Sequence, residues 1–168
     1  MVVGDSGWVA GGEFTRALDA PAFLAVGREG RLEGARVEVA GRARLGYEDG
    51  EWDEWWVRGE DGTGRWLEED DGRYLLHEPV AASVPTGASV GVGGTLEADG
   101  RRWLVVESFE ATVLGAEGEL PVPVPAGSRV RCVDAVGGGA RLSLELWGDE
   151  TLASIARPAD EAGLVWDA

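Results

Sequence analysis

The sequence predicts an antiparallel, all-β protein of sandwich or barrel type. Asp-Gly, the strongest short signal for a β-hairpin turn, recurs at Asp49-Gly50, Asp61-Gly62, Asp71-Gly72 and Asp99-Gly100. Between these turns apolar and polar residues alternate, with the period of a half-buried strand. Helical patterns are weak and short. Many short strands with frequent turns are typical of sandwiches and barrels.

The clearest strand covers residues 36 to 45. Its faces carry Val37, Val39, Ala43 and Leu45 on one side and Arg36, Glu38, Arg42 and Arg44 on the other. A second segment sets Leu142, Leu144 and Leu146 against Arg141, Ser143 and Glu145, and a third alternates around Val130 and Cys132. Each segment therefore reads as a strand with two unlike faces.

A faint internal repeat suggests two β halves that are duplicates of each other. Gly30-Arg-Leu-Glu and Gly94-Thr-Leu-Glu each precede a strand and an acidic turn. We expect an N-terminal extension at 1–26, a first β half at 27–80, a second at 90–148 and a C-terminal tail at 149–168, within one compact unit. Short helices are expected only at the ends, from Phe14 to Leu18 and from an Asp149 cap to just before Pro158.

The charge is strongly acidic and unevenly distributed. The net charge is −16, and residues 48–72 carry eleven acids against two arginines. A nucleic-acid partner is not expected, because phosphate binding needs a basic surface. The chain has one cysteine and no long apolar run, which predicts a soluble, cytoplasmic protein without direct membrane insertion.

The stretch EWDEWWVRGEDGTGRW, residues 51–66, holds four of the eight tryptophans. If Asp49-Gly50 forms a two-residue loop, Trp56 lies opposite Ala43, and Trp55 lies opposite Arg44. Trp52 and Trp56 then point inwards. Trp55 stands outside with Arg42 and Arg44, whose guanidinium groups can stack on its ring. A loop shifted by one residue would exchange these two faces.

The residues that catalysis or metal binding usually requires are scarce. His77 is the only histidine, and Cys132 is the only cysteine. We expect Cys132 to pack as a small apolar residue rather than to act as a nucleophile. The acidic turns lack the spacing of a calcium loop, and one histidine with one cysteine is too few for zinc. We therefore expect no catalytic residues, no metal site and no cofactor.

Several short motifs resemble a bacterial family. They are Gly27-Arg-Glu-Gly-Arg-Leu-Glu-Gly34, Val39-Ala-Gly-Arg42, Trp52-Asp-Glu-Trp55 and Trp66-Leu67, followed by Ala116-Glu-Gly-Glu-Leu-Pro121 and Ser143-Leu-Glu-Leu-Trp147. Together they resemble the bacterial domain-of-unknown-function 4178 family over about residues 22–150. The resemblance implies an accessory protein encoded in a membrane-stress type of operon, and it supplies no established catalytic residues to carry over to this chain.

We expect a non-enzymatic accessory module that binds a protein partner with a basic surface or within a membrane-associated complex. The binding face would use Trp55 as its anchor, with Glu51, Asp53, Glu54, Arg42 and Arg44 around it. The alternative is a small-cation or polyamine-binding domain, or an enzyme accessory, with Glu51, Asp53 and Glu54 as counter-charges. Self-association into a homo-oligomer is a third possibility.

Overall fold

A computed structural model describes residues 11–14, 23–83 and 90–168, and the described residues form thirteen β-strands and no helix. The strands are β1 (Gly11–Phe14), β2 (Glu29–Leu32), β3 (Ala35–Tyr47), β4 (Gly50–Gly59), β5 (Gly64–Asp70), β6 (Arg73–Pro79), β7 (Ala82–Ser83), β8 (Thr95–Ala98), β9 (Arg101–Leu120), β10 (Arg129–Gly137), β11 (Ala140–Trp147), β12 (Glu150–Pro158) and β13 (Leu164–Trp166). The predicted antiparallel all-β class is confirmed. The described part of the chain holds no helix of the length and apolarity that a membrane span requires.

Eight strands close into a barrel rather than a sandwich. Their order is β3-β4-β5-β6-β12-β11-β10-β9, and β9 pairs again with β3. All these pairings are antiparallel. At the β3–β9 seam, a Cβ atom on Gly41 would lie 2.3 Å from the carbonyl oxygen of Glu119, so only glycine permits this close approach. The remaining strands extend the sheet beyond the barrel at β3 and β9.

The expectation of short helices at the ends is not borne out in the described residues. Phe14 is the last residue of β1, and residues 15–18 lie outside the described chain. The segment after Asp149 forms β12, which pairs with β11 on one side and β6 on the other. Because both edges of this segment are hydrogen-bonded in the ladder, tertiary pairing overrides its weak helical signal. The expected C-terminal tail thus contributes a barrel strand.

Two of the four predicted Asp-Gly turns form as expected. Asp71-Gly72 and Asp99-Gly100 each have positive φ at both residues and connect paired strand ends. The β3–β4 turn instead consists of Glu48 and Asp49, because Tyr47 pairs with Gly50. Asp61-Gly62 lies in a longer loop, in which only the glycine has positive φ.

The two halves of the barrel begin in the same way. The N–H of Gly27 donates to the carbonyl of Val39 at 2.8 Å, and that of Gly93, 66 residues later, donates to the carbonyl of Val105 at 2.9 Å. The residue that follows each acceptor, Ala40 or Val106, is the extra residue of a β-bulge. These repeated contacts place β2 and β3 in correspondence with β8 and β9.

The correspondence continues through the barrel. The pairing registers match Glu54 with Cys132, Glu68 with Glu145, and His77 with Ser154. The barrel therefore has approximate two-fold symmetry, with β4, β5 and β6 repeated as β10, β11 and β12.

Three apolar clusters stabilise the fold. One lies inside the barrel and includes Leu45, Trp56, Trp66, Val113, Leu120, Val124 and Val130. A second covers the outside of the first half with Leu24, Val39, Trp55, Leu67, Leu76, Ala159, Ala162 and Leu164. A third covers the second half with Val90, Leu96, Trp103, Val105, Val133, Leu142 and Leu144. Much of the barrel wall is therefore packed on both faces.

Candidate functional site

The predicted binding face on β3 and β4 is an ion-pair network beside a buried ring. Trp55 is fully buried, so the expectation that it is a surface anchor was wrong. The Arg42 guanidinium lies 5.0 Å from the centre of this ring, which confirms the predicted stacking. Arg42 bonds Asp53 at 2.8 and 2.9 Å, and Arg44 bonds Glu51 at 2.8 Å. Most of this face is neutralised and covered.

The predicted pairing of β3 with β4 was wrong by two positions, although the faces of Trp52, Trp55 and Trp56 relative to Leu45, Arg42 and Arg44 were assigned correctly. Arg42 lies opposite Trp55, and Leu45 lies opposite Trp52. The bulge at Ala40 moves Val37 and Val39 to the side of Trp55, where we had not expected them. The C-terminal segment from Ala159 to Leu164 then covers that side, so Trp55 packs in the outer core.

Glu54 lies apart from Glu51 and Asp53, because neighbouring residues of a strand point to opposite faces. It faces the barrel interior, together with Trp52 and Trp56. The proposed trio of counter-charges is therefore divided between the two faces. The interior is the polar site that the sequence did not identify, and the side chains that meet Glu54 there come from strands throughout the chain.

A chain of hydrogen bonds crosses the interior from β12 to β11. Ser154 Oγ lies 2.7 Å from His77 Nδ1, and His77 Nε2 lies 3.0 Å from Glu68 Oε2. Arg141 contacts Glu68 at 3.3 Å and Asp134 at 3.1 Å. Ser143 completes the chain, since its hydroxyl donates to Asp134 at 2.8 Å. Although burial alone would raise the pKa of Glu68, the bonds from His77 and Arg141 lower it overall.

Glu54 and Glu145 form a carboxyl pair at the centre of the barrel. Each accepts one indole N–H, from Trp52 at 3.1 Å and from Trp147 at 2.9 Å. The two carboxyl groups lie near enough to interact directly with each other. Burial, and next the charge of Glu145, raise the pKa of Glu54 well above its usual range. No group of three or more His, Cys, Asp or Glu side chains among the described residues is arranged to hold a metal ion.

A cluster of three aromatic rings lies on one side of this carboxyl pair. Trp52 and Phe109 meet edge to face with centroids 5.9 Å apart, and Tyr47 lies 5.8 Å from Trp52 and 4.8 Å from Phe109. The three rings line a cavity of about 140 Å³, together with Glu54, Glu68, Asp70, His77, Glu107, Cys132, Asp134, Arg141, Ser143 and Glu145. We call this space the open cavity, because it reaches solvent at the exposed residues Asp70 and Glu107.

The mouth of the open cavity is negative. Desolvation, followed by the charges of Asp70, Asp49 and Glu107, raises the pKa of Tyr47. Desolvation, and then the charge of Asp71, also raise the pKa of Asp70. Both shifts have the direction that a negative field produces, because each ionisation would add negative charge.

A second cavity of about 70 Å³ lies on the other side of the carboxyl pair. Residues 121–128, which we call the strap, connect β9 to β10 and place the buried side chain of Val124 against this cavity. Its walls include Ala43, Leu45, Trp66 and Trp147. In the two-fold arrangement these positions correspond to Phe109, Ala111, Ser143 and Asp70. We call it the covered cavity, and it is largely the symmetry counterpart of the open one.

The comparison with known families agrees with the motifs noted above. The family described as a domain of unknown function (DUF4178) matches residues 25–161, most of the chain. This chain belongs to the DUF4178 family. No curated protein and no solved structure matches it. The match spans β2 to β12 and therefore includes every strand of the barrel.

In this DUF4178 chain the interior site could not be recognised from the sequence, because its polar residues alternate like those on the solvent-exposed face of an ordinary strand. Arg141, Ser143 and Glu145 alternate with leucines, and that pattern does not say which face is covered. Both faces are covered here, and the polar one faces the barrel interior. Cys132 also faces the interior, where burial raises the pKa of its thiol and keeps it protonated.

Proposed function

We propose that the barrel is a binding module that holds a small organic cation in the open cavity. The observation that carries this proposal is the convergence of three aromatic rings with carboxylates around one solvent-accessible space. Organic ammonium groups bind to the faces of aromatic rings, and nearby carboxylates supply the opposite charge. This proposal is a form of the small-cation hypothesis that the sequence left as an alternative. The binding site now lies in the barrel interior instead of on the outer face of β4.

The charge balance of the cavity favours a cation. Among the residues that the structure describes, six carboxyl groups line it, and Arg141 and His77 are the only basic side chains in its wall. Arg141 already contacts Glu68 and Asp134, and His77 contacts Glu68. Among the described residues, Asp70 and Glu107 form no ion pair at the mouth, so their charges face the cavity and solvent. A cation entering there replaces water beside unneutralised acids.

The size of the cavity limits the ligand. A water molecule takes about 30 Å³ in the liquid, so 140 Å³ holds a ligand of roughly five or six non-hydrogen atoms. Tetramethylammonium and short diamines fall in that range, while a longer polyamine would extend through the mouth. The acidic protein-binding face is less well supported, because its expected anchor, Trp55, is fully buried.

The test is a binding series by isothermal titration calorimetry at physiological salt, with tetramethylammonium, putrescine and spermidine chlorides as probes. We expect saturable binding of at least one small probe. The double variant Asp70→Asn, Glu107→Gln should lower affinity about tenfold, and Phe109→Leu by about three- to tenfold, through loss of charge and of a ring face.

The matched control is Glu97→Gln, an exposed acid on β8 that lines none of these cavities. It should bind like the wild type. If no probe binds beyond the heat of an equal concentration of sodium chloride, the cation-binding proposal is wrong. If Glu97→Gln weakens binding as much as the mouth variants, the effect is general screening rather than a site.

A further inference from the structure

The Glu54–Glu145 pair occupies the one position that the internal cavities share. Both side chains line the open cavity, the covered cavity and a third space of about 40 Å³ between Trp56 and Ser154. Each carboxyl is held in place by an indole N–H from its own strand. The pair is therefore a fixed end wall for any ligand that enters past Asp70 and Glu107.

Two carboxyl groups that line the same three cavities repel each other when both are ionised, so one of them keeps its proton to a higher pH than an isolated carboxyl would. The surroundings of the pair favour retention of that proton. The titratable side chains that share the open cavity with the pair are Tyr47 on β3, Glu68 and Asp70 on β5, His77 on β6, Glu107 on β9, Cys132 and Asp134 on β10, and Arg141 on β11. Arg65 on β5 also lines the third space, where it pairs with Glu78 at 2.9 Å. Acids outnumber bases around the pair, and Arg141 and His77 already contact Glu68.

We propose that the Glu54–Glu145 pair is the cation-binding end of the open cavity and that it releases its proton to solvent when the ligand's positive charge arrives. This inference rests on the proposed function. No covalent bond changes: the proton leaves to the buffer, the second carboxylate becomes available, and the cation takes the place of the proton as the balancing charge.

The exchange has a thermodynamic signature that simple electrostatic attraction at the mouth lacks. A site that must lose one proton binds a permanently charged cation more tightly as pH rises, by up to about tenfold per pH unit while the pair is still protonated. Tetramethylammonium is the right probe, because it has no proton of its own to lose and its size suits the cavity.

The experiment is titration calorimetry of the intact protein with tetramethylammonium chloride at about pH 6 and about pH 8. Each pH is tested in two buffers of different ionisation enthalpy and at constant chloride. We expect tighter binding at the higher pH. At the lower pH we expect a heat that depends on the buffer, because the released proton is taken up by the buffer.

Glu54→Gln keeps the size of the side chain and an oxygen that can accept the indole N–H of Trp52, but the amide has no ionisable proton to release. It should lose the buffer-dependent heat and flatten the pH dependence, and Glu145→Gln should behave in the same way if the first variant folds poorly. Glu97→Gln should retain both effects. Circular dichroism establishes that each variant is folded.

The outcomes separate the two proposals. Absence of tetramethylammonium binding by the wild type at both pH values would overturn the proposed function and this inference together. Binding with equal affinity at both pH values, and with heats independent of the buffer, would overturn the proton exchange alone. Binding whose pH dependence survives unchanged in Glu54→Gln and Glu145→Gln would assign the proton to other groups.

Discussion

The two halves of the barrel have matching strand pairings, but the connection that follows the longest strand differs between them. β3 turns back through two residues, Glu48 and Asp49, whereas β9 continues to Leu120 and returns through the eight-residue strap. The strap covers one end of the interior, and the corresponding end of the other half stays open. The difference teaches that the length of one connection, in an otherwise repeated barrel, decides which of two equivalent cavities is covered and which is open to solvent.

The side chains at corresponding positions follow that difference. Trp66 and Trp147 fill the covered end, while Ser143 and Asp70 occupy the same positions at the open end. Ala43 beneath the strap corresponds to Phe109, whose ring faces the open cavity. At the first two positions the covered end therefore holds a ring and the open end a polar group, whereas at the third position the ring is at the open end.

The largest effect should come from the outer cores, at corresponding positions of the two halves. Trp55→Ala removes a fully buried ring that donates its indole N–H to Glu69 at 2.8 Å, and we expect a loss of about 3–5 kcal/mol in unfolding free energy. Val133→Ala, at the matching position, should cost about 2 kcal/mol. Urea denaturation measures both. A Trp55→Ala protein as stable as the wild type would contradict the buried position of the ring.

A smaller effect is expected at the strap. Val124→Ala enlarges the covered cavity and should cost about 1–3 kcal/mol, because two buried methyl groups are lost. Affinity for tetramethylammonium should remain within about twofold of the wild type, since the open cavity is unchanged. Urea denaturation and calorimetry test the two parts. A large loss of affinity would mean that the two cavities do not act independently.

The smallest effect, and the only stabilising one, is expected at the carboxyl pair. Glu54 of this pair corresponds in position to Cys132 in the other half. A carboxyl whose pKa is raised on folding makes no difference at acidic pH, where it is protonated in both states, and it destabilises the protein as pH rises above its unfolded pKa. Glu54→Gln should therefore match the wild type near pH 4 and be more stable near pH 8, by on the order of 1 kcal/mol.

Paired urea denaturation at the two pH values measures this difference. Glu51→Gln is the control, because it removes only a half-exposed partner of Arg44 and should shift stability by less than about 1 kcal/mol at either pH. If the Glu54→Gln protein were less stable than the wild type near pH 8, ionisation of Glu54 would not destabilise the folded protein, which would contradict this prediction.

Local chemistry explains what the sequence could predict. Alternation located strands such as residues 36–45, and the turns at Asp71-Gly72 and Asp99-Gly100 formed because Asp and Gly tolerate positive φ. The same alternation correctly grouped Trp55 with Arg42 and Arg44. These features depend on residues a few positions apart, so their information is contained in short stretches of sequence.

Distant contacts explain what could not be predicted. Trp55 is buried by Leu164 and its neighbours, more than a hundred residues later in the chain. The interior site brings Glu54 close to Glu145 inside the closed barrel. The alternation of residues along a single strand does not predict that the sheet closes into a barrel. The bulge at Ala40 has no clear local signal either, although it decides on which side Val37 and Val39 lie.

The C-terminal segment has a consequence for the order of events during synthesis. Ala159, Ala162 and Leu164 complete the outer core of the first half, and β13 pairs with β2, so Trp166 lies beside Gly30. The outer core of the first half is therefore complete only after a ribosome has made every strand of the barrel. Despite its repeated architecture, the first half keeps part of its outer apolar surface uncovered while the second half is made, and uncovered apolar surface favours aggregation.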